Sequence, residues 1–560
     1  MIDVASQLKS TADPRLESIF PTLTAEQVAR VAAHGRVRPM RAGEVLVEAG
    51  MVAAPFFVVT AGRLEIVRPT AGGEESAITS PGPGQFTGET NLLSGRPSLG
   101  TIRAAEDGEV VELDRPALLA LVQTDAELSE ILLRAFLLRR VELIARGMGD
   151  AVLLGSIHCS GTLRIKEFLV RNGHPYTFVD LDEDEGVAEM LDRFHVAYED
   201  VPVLIIRGES VLRNPQIAEI AEALGFNDTI DSTHLRDLVI VGAGPSGLAA
   251  AVYGASEGLD VLVLENSAPG GQAGASSRIE NYLGFPTGIT GQDLAGRAYA
   301  QAQKFGAELM VARGAAKLAC DRKPYAVVME DGTKIPARTV ILATGAQYRR
   351  PPCEHLVAYE GAGVYYGATF IEAQVCRGEE VVVIGGGNSA GQAAVFLAQT
   401  ARRVHILVRS SALAASMSRY LIRRIEDNPA IVLHTHTELS DCDGDDHLES
   451  LAWTDSRTGV EQTHAIRHLF VMTGADPCTR WLDGCVAIDE KGFIRTGADL
   501  TDEDLAVAEW PLARRPHLLE TSLPGVFAVG DVRCGNVKRV ASAVGEGSIA
   551  VSFVHQVLAE

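Results

Sequence analysis

The stretch DLVIVGAGPSGLAAAVYGASEGLDVLVLEN, residues 237–266, decides the fold of the larger part of this chain. An apolar run leads into a turn with Gly242, Gly244 and Gly247, a helical stretch follows, and a second apolar run ends in Glu265. Glycines at these positions let the backbone turn tightly and approach a pyrophosphate at the helix N-terminus. Glu265 follows the third glycine by 18 residues, where an acid accepts hydrogen bonds from ribose hydroxyls. The segment therefore predicts a dinucleotide-binding strand, helix and strand.

A second segment of the same kind is EEVVVIGGGNSAGQAAVFLAQTARRVHILVRS, residues 379–410. Gly385, Gly387 and Ala390 hold its three turn positions, and alanine is tolerated at the third. The second apolar run ends in Arg409. A cation at this point suits the 2′-phosphate of NADP, whereas an acid would have suited NAD. We therefore expect NADPH as the ligand of this second turn.

Composition sets the class of protein. The chain has 560 residues, 46% hydrophobic and 22% charged, which excludes disorder as its main state and predicts several domains. Lys plus Arg number 50 against 73 Asp plus Glu, and a net charge of −23 disfavours nucleic acid and anionic membranes as partners. The N-terminus lacks the features of a signal peptide, and no run reaches the ~18 apolar residues of a membrane span. We expect a cytoplasmic protein.

The 8 cysteines are too sparse for a disulfide scaffold, and no two have C-x-x-C spacing. No metal site is predicted.

Residues 1–150 show short apolar alternation between turn residues, followed by a helical pattern. The segments FFVVTAGRLEIV and PGPGQFTGETNLLSGRPSLGTIRA resemble the cyclic nucleotide-binding domain family. Gly88 and Glu89 match its phosphate-binding cassette, but Ser98 stands where the family has an arginine, and Arg96 lies two residues earlier. Without a charge-assisted clamp, affinity for a cyclic phosphate falls sharply. We expect a structural, dimerising or altered-ligand module in preference to a cyclic AMP sensor.

Residues 151–230 read as strand, helix, strand, helix, hairpin and helix, with Val201-Pro202 just before the hairpin. This order resembles the thioredoxin/glutaredoxin fold, in which that proline is cis and faces the redox cysteine. Cys159 fits the first cysteine position, at a helix N-terminus, where thiolates are generally favoured. Thr162 takes the partner position, which excludes a dithiol relay inside this domain. Monothiol chemistry at Cys159 and a docking domain with an incidental cysteine both stay open.

The C-terminal run TSLPGVFAVGDVRCGNVKRVASAVGEGSIAVSFVHQ resembles the FAD-completing segment of the thioredoxin reductase family, and the resemblance covers about residues 236–560. The motifs GGQ at 270–272, IENYLGFP and ILATGAQYRRPP also match this family. The resemblance implies FAD and NADPH as cofactors and a homodimer. It places Asp531 on the ribityl chain and the turn with Arg539 and Val540 at the flavin edge. The remaining implied cofactor-site residues are Gly271, Gln272, Asn281, Thr344 and Gly345.

One departure from that family concerns its C-A-T-C dithiol. In GVYYGATFIEAQVCRGEE, Gly367 and Phe370 stand where the two cysteines belong. The resemblance therefore implies a reductase framework without the resident dithiol. Cys534 follows the Gly-Asp motif in a loop near the flavin, so Cys159 and Cys534 are the candidate redox-active residues.

The predicted fold class is α/β multidomain: a β-roll with helices, a thioredoxin-like domain, and two interleaved Rossmann-like domains for FAD and NAD(P)H. The predicted boundaries are 1–150, 151–230, 231–350 and 475–560 for FAD, and 351–474 for NADPH. The expected activity is NADPH oxidation through FAD, in which hydride passes from the nicotinamide to the flavin. The acceptor is a disulfide protein, a quinone or another small oxidant, and Cys159 offers an internal route. The alternatives are a ligand- or redox-sensing regulatory flavoprotein and a flavin-bearing scaffold.

Overall fold

The computed structural model describes residues 14–69, 75–182, 200–413, 417–482 and 484–560. The chain forms two compact units. The first consists of Met1–Leu154, Gly173–Ile230 and Ala300–Ala307, and the second of Gly155–Asn172, Asp231–Tyr299 and Glu308–Glu560. The short segment Gly155–Asn172 thus belongs to the same compact unit as the two dinucleotide segments.

The N-terminal region folds into two antiparallel sheets followed by helices, as its pattern predicts. Its core joins sheet and helix through the rings of Phe56, Phe86 and Phe136, which meet at 5.8 to 6.2 Å between centroids. The strand orders are β1-β7-β3 and β2-β6-β4-β5. The elements are α1 Pro14–Ile19, α2 Ala25–Ala32, β1 Arg36–Met40, β2 Val45–Val47, β3 Phe56–Ala61, β4 Leu64–Pro69, β5 Glu75–Thr79, α3 Asn91–Ser94, β6 Thr101–Ala104, β7 Gly108–Leu113, α4 Arg115–Thr124 and α5 Ala126–Ala145.

Residues 151–230 contain a four-stranded sheet with the order β11-β10-β8-β9. The hairpin predicted after Val201 is present as β10 and β11, and the Val201-Pro202 peptide bond is cis. The helix predicted after Asp180 lies outside the described residues. The elements are β8 Ala151–Gly155, α6 Ser160–Arg171, β9 Tyr176–Asp180, β10 Val203–Ile206, β11 Ser210–Arg213 and α7 Ile217–Ala223.

The first dinucleotide segment forms a parallel layer in which β12 is the central strand between β13 and β17. Its side chains are almost all buried, as expected for a strand with helices or strands on every side. An antiparallel pair, β15 and β16, extends the sheet beyond β17. The elements are β12 Arg236–Val241, α8 Pro245–Ser256, β13 Val261–Leu264, α9 Gly271–Gly274, α10 Gly291–Lys304, β14 Glu308–Met310, β15 Ala315–Ala319, β16 Tyr325–Met329, β17 Lys334–Leu342 and β18 Ala346–Tyr348.

The second dinucleotide segment forms its own parallel sheet, with the order β19-β26-β20-β21-β22, beside an antiparallel three-stranded sheet of β23, β24 and β25. Parallel strands joined by helices are the arrangement that the glycine turns predict. The elements are β19 Val364–Tyr365, α11 Phe370–Val375, β20 Glu380–Ile384, α12 Asn388–Leu397, β21 Arg403–Val408, α13 Arg419–Glu426, β22 Ile431–Thr435, β23 Thr437–Asp443, β24 Ser450–Asp455, β25 Val460–His464 and β26 Leu469–Val471.

The chain then returns to the first dinucleotide sheet. The outgoing strand β18 pairs antiparallel with the returning strand, so the two connections form one ribbon. The remaining elements are β27 Ala475–Pro477, α14 Asp502–Val507, β28 Val526–Ala528 and α15 Val540–Ala559. Strand β28 joins β17 in parallel. Within the described parts of the chain, no helix combines the length and apolarity that a membrane crossing requires.

Candidate active site

Each position of the first turn is occupied by glycine for a different physical reason. Gly242 has φ +103°, and a Cβ there would lie 2.4 Å from the carbonyl oxygen of Ala343. A Cβ on Gly247 would lie 1.9 Å from the carbonyl oxygen of Gly242, so only glycine lets α8 approach the turn. Gly244 begins α8 as its N-cap, and no atom of the described residues lies within 4 Å of a Cβ built on it. The turn is thus closely packed behind and open in front, as a diphosphate cradle requires.

Glu265 lies at the end of β13 and is 7% exposed. Its carboxylate accepts hydrogen bonds from the backbone N–H groups of Ala243, at 2.8 Å, and Ser267, at 3.0 Å. Burial raises the pKa of this carboxyl, whereas backbone N–H donors and the charge of Arg171 act against that rise. A carboxylate has about four acceptor positions, so these backbone donors leave room for a ribose hydroxyl.

The C-terminal segment brings a second helix N-terminus to the same place. Gly530 has φ +72°, and a Cβ on it would lie 2.2 Å from Oγ of Ser246 in α8. Asp531 follows in a 3₁₀ turn, and burial raises the pKa of its carboxyl while Lys538 lowers it. Arg539 is the N-cap of α15 and makes no side-chain capping hydrogen bond. The first backbone N–H groups of α15 are therefore available to an electron-rich ligand.

The second glycine turn repeats the first. A Cβ on Gly385, which has φ +139°, would lie 2.2 Å from the carbonyl oxygen of Met472. Gly387 is the N-cap of α12, and within the part of the chain that the structure describes, a Cβ on it would meet no atom within 4 Å. Ala390 is fully buried behind the turn. Arg409, just past the end of β21, is exposed.

One cavity of about 1520 Å³ connects the two turns. The selected residues that line it are Gly242, Gly244, Glu265, Gly271, Gln272, Asn281, Thr344, Gly345, Gly385, Gly387, Arg409, Asp531, Arg539 and Val540. Gly247 and Ala390 pack behind the turns. Cys159 and Cys534 are not among the described residues that line the cavity. The residues present fit a flavin dinucleotide at the first turn and a pyridine dinucleotide at the second.

Helix α6 contributes a wall of this cavity that the sequence patterns did not indicate. Its residues Ser160, Leu163 and Arg171 line the cavity. Leu163 is 8% exposed and belongs to the same apolar cluster as Ile371 of α11. Nothing in the local sequence of α6 says which surface its apolar face meets, so this contact follows only from the tertiary structure.

Gly367 and Phe370, the two positions at which the sequence resemblance places a dithiol, lie at the start of α11. Gly367 lines the cavity, and of the residues that the structure describes, a Cβ on it would contact only the Cβ of Ala275, at 3.9 Å. Phe370 is 67% exposed at the first position of α11. The helix begins at a capping box of Thr369 and Glu372.

The cysteines are distributed in an unexpected way. Cys320 and Cys485 form a disulfide. The two cysteines are 165 residues apart in sequence, so no local sequence pattern predicts their pairing. Cys478 lines the cavity, its N–H donates to Gly345 at 3.0 Å, and burial raises its pKa. Cys534 is half-buried, and burial and the carboxylate of Asp489 raise its pKa. Its thiol is thus held in the protonated form more strongly than a free thiol. No group of His, Cys, Asp and Glu in the described residues could hold a metal ion.

In the N-terminal cassette, the chain's own side chains engage the polar groups. Glu89 pairs with Arg140 of α5 at 2.8 Å. The guanidinium of Arg96 lies 4.1 Å from the ring centroid of Phe226. The hydroxyl of Ser98 donates to the carbonyl oxygen of Gly100 at 2.7 Å.

Two glycine turns that face one cavity, with an acid after the first and an arginine after the second, define a flavin- and pyridine nucleotide-dependent oxidoreductase. Residues 236–547 match the family model described as pyridine nucleotide-disulphide oxidoreductase. The chain belongs to this family. It is therefore an NADPH-dependent flavoprotein oxidoreductase with FAD and NADPH as cofactors, as the sequence predicts.

Proteins similar in sequence to this chain include thioredoxin reductases. The chain is 31% identical over 326 residues to thioredoxin reductase of Bacillus subtilis (strain 168), covering 58% of this chain and 96% of the relative. It is 33% identical over 329 residues to thioredoxin reductase of Mycolicibacterium smegmatis, covering 59% of this chain and 98% of the relative. The predicted resemblance to thioredoxin reductases is confirmed.

Solved structures give the same answer for the fold. Thioredoxin reductase of Lactococcus lactis aligns with a TM-score of 0.51 and 28% identity, covering 58% of this chain and 99% of that one. Thioredoxin reductase of T. acidophilum aligns with a TM-score of 0.52 and 27% identity, covering 58% of this chain and 99% of that one. Residues 37–125 match the model described as cyclic nucleotide-binding domain. The predicted fold class, a β-rich N-terminal region and Rossmann-like domains, is confirmed.

Proposed function

We propose that this enzyme uses NADPH to reduce a disulfide bond held on Cys159, in place of the dithiol that the resembling reductases carry. Gly367 and Phe370 have no thiol, so this position cannot accept electrons as a disulfide. A thiol-bearing segment of the same chain lies next to it.

The observation that carries the proposal is the packing of α6 against the start of α11. Cys159 is the N-cap of α6, and Leu163, one turn further, is buried with Ile371. A Cβ built on Gly361 would lie 3.0 Å from the Cβ of Ser160, the residue next to Cys159. Cys159 is therefore next in sequence to a residue that lines the cofactor cavity.

The chemistry is that of a monothiol, because Thr162 rather than a cysteine follows Cys159 at the partner position. The substrate is a mixed disulfide between Cys159 and a thiol of a protein or small molecule. NADPH, one proton and this mixed disulfide give NADP⁺, the Cys159 thiol and the released thiol. FAD, when bound, accepts two electrons from NADPH and passes them on.

The protein's own residues hold and orient these groups. The turns at Gly244 and Gly387 present open backbone to the two diphosphates. Glu265 accepts from a ribose, and Arg409 pairs with the 2′-phosphate of NADPH. The N-terminus of α15 stabilises negative charge at the flavin edge.

Cys159→Ser tests the proposal. In the variant, anaerobic NADPH should still bleach the flavin absorbance at the wild-type rate, while turnover with a protein disulfide should fall to background. Cys534→Ser is the matched control and should leave both rates unchanged, because its thiol is held protonated. Equal disulfide turnover in Cys159→Ser and wild type would rule the proposal out.

The open space at Gly367 supports a second candidate, a reductase of quinones or other small oxidants. Since Ala275 is the only described residue near a Cβ built there, a small acceptor has room at this point of the cavity. Reoxidation by a quinone that is equally fast in wild type and Cys159→Ser would favour this activity.

The domain boundaries, a homodimer, a cytoplasmic location and a regulatory role of the N-terminal region stay predictions. The thioredoxin reductase relatives support the homodimer, which light scattering of the full chain tests directly.

A further inference from the structure

The C-terminal end of α6 is fastened to the loops that hold the first dinucleotide site. Three side-chain hydrogen bonds do this: Arg171 Nη2 to Gly271 O at 3.1 Å, Gln292 Nε2 to Val170 O at 2.7 Å, and Asn172 Nδ2 to Ser267 O at 3.4 Å. Gly271 and Ser267 belong to the segment that follows Glu265. Helix α6 precedes the region matched by the reductase family, so these contacts add to that region from outside it.

Arg171 has donors to spare at this point. Its side chain is 18% exposed and lines the cavity together with Gly244. Nη1 pairs with Glu167 at 3.2 Å, and Nη2 donates to Gly271. Nε is buried and has no hydrogen-bond partner among the described residues. A guanidinium carries five N–H donors, and leaving one buried without an acceptor is costly.

The charge of Arg171 also reaches Glu265. Burial raises the pKa of Glu265, and the positive charge of Arg171 counteracts this rise. The guanidinium thus interacts electrostatically with Glu265 and donates a hydrogen bond to the loop at Gly271. In contrast, the glycine turn offers only backbone N–H groups and the partial charge of a helix N-terminus.

We propose that Arg171 binds the diphosphate of FAD and that α6 is part of the FAD site. A guanidinium matches phosphate oxygens in charge and geometry. The site is then completed by a residue of α6, which precedes the region matched by the reductase family. The inference rests on the FAD cofactor and is independent of the electron acceptor, so Cys159→Ser does not bear on it.

Arg171→Gln in the full-length chain is the test. The variant loses the charge, and because its amide ends two bonds short of Nη2, it also loses the donor to Gly271. The Kd for FAD, measured by flavin fluorescence on deflavinated protein, should rise about tenfold to a hundredfold. In Arg171→Lys the Kd for FAD should rise less, because lysine keeps the positive charge. Arg322→Gln removes an exposed charge from a turn of the same domain and should bind FAD like wild type.

Two further readouts separate phosphate binding from a purely structural role. The Kd of wild type should rise with ionic strength more steeply than that of Arg171→Gln, because one ionic contact is missing in the variant. ADP, which carries the diphosphate without the flavin, should lose affinity in parallel with FAD. An FAD affinity of Arg171→Gln within twofold of wild type would overturn the proposal, as would equal salt dependence or unchanged ADP binding. Arg171→Met, which also removes the charge, gives the same comparison if the glutamine variant fails to fold.

Discussion

The glycine turn of residues 242–247 and the cassette of residues 88–98 both carry phosphate-binding motifs, yet they differ in what surrounds their polar groups. In the turn, the space in front of Gly244 is open to 4 Å. In the cassette, Glu89 is already paired with Arg140. A ligand of the cassette has to displace an ion pair before it binds, whereas a ligand of the turn meets free backbone donors.

The polar side chains Arg96 and Ser98 of the cassette are likewise already engaged by other groups of the protein. Arg96 is 7% exposed and covers the ring of Phe226, so moving it toward a ligand would expose an apolar ring. Ser98 cannot replace it, because a hydroxyl carries no charge and already donates to Gly100. The comparison shows that a matching motif indicates the fold of a site, while the partners of its side chains decide whether the site is available.

The largest expected effect comes from closing the open turn. Gly244→Ala places a methyl group where a diphosphate approaches, and the backbone there is extended (φ −69°, ψ −178°), which alanine adopts freely. FAD affinity should fall about tenfold or more, while the stability of the apoprotein changes by less than about 0.5 kcal/mol. Flavin content after purification and thermal unfolding of the deflavinated protein measure the two effects.

Gly247→Ala is the matched variant behind the same turn. Its Cβ would lie 1.9 Å from a backbone oxygen, so it should lose FAD and also about 3 kcal/mol of stability. If both variants lost the same stability, the distinction between the open and packed sides of the turn would be wrong.

The second turn extends the comparison to a single phosphate. Arg409→Ala should lower kcat/KM for NADPH about tenfold to a hundredfold and leave that for NADH unchanged, because the 2′-phosphate loses a charge-assisted contact. Steady-state oxidation rates of NADPH and NADH measure the two kcat/KM values.

Arg403→Ala is its control, since Arg403 is exposed at the opposite end of the same strand, β21. A similar loss for both nucleotides in Arg409→Ala would assign Arg409 to general binding and not to the choice of NADPH.

Sequence spacing was sufficient for what is local. The three turn positions of each segment and the residue at the end of the second strand lie within one strand-helix-strand unit, so their roles follow from the backbone that the unit must adopt. The cis bond at Val201-Pro202 was likewise expected from a resemblance in one short segment.

The missed features depend on contacts between distant segments. The face of α6 that meets α11 and the loop at Gly271 has the same apolar pattern as a helix packed on its own domain. The pairing of Cys320 with Cys485 spans the whole second dinucleotide domain. No local pattern distinguishes these outcomes, because packing partners are set by the tertiary structure and not by the period of the hydrophobic residues.

The smallest expected effect lies at the cassette. Cyclic AMP or cyclic GMP added to the full-length protein at millimolar concentration should give no heat of binding in a calorimetric titration. Ser98→Arg restores the arginine of the family but leaves Glu89 paired with Arg140, so its affinity should stay weak. Strong binding by wild type would show that the Glu89–Arg140 pair opens at little cost, and the contrast with the glycine turn would then be one of degree.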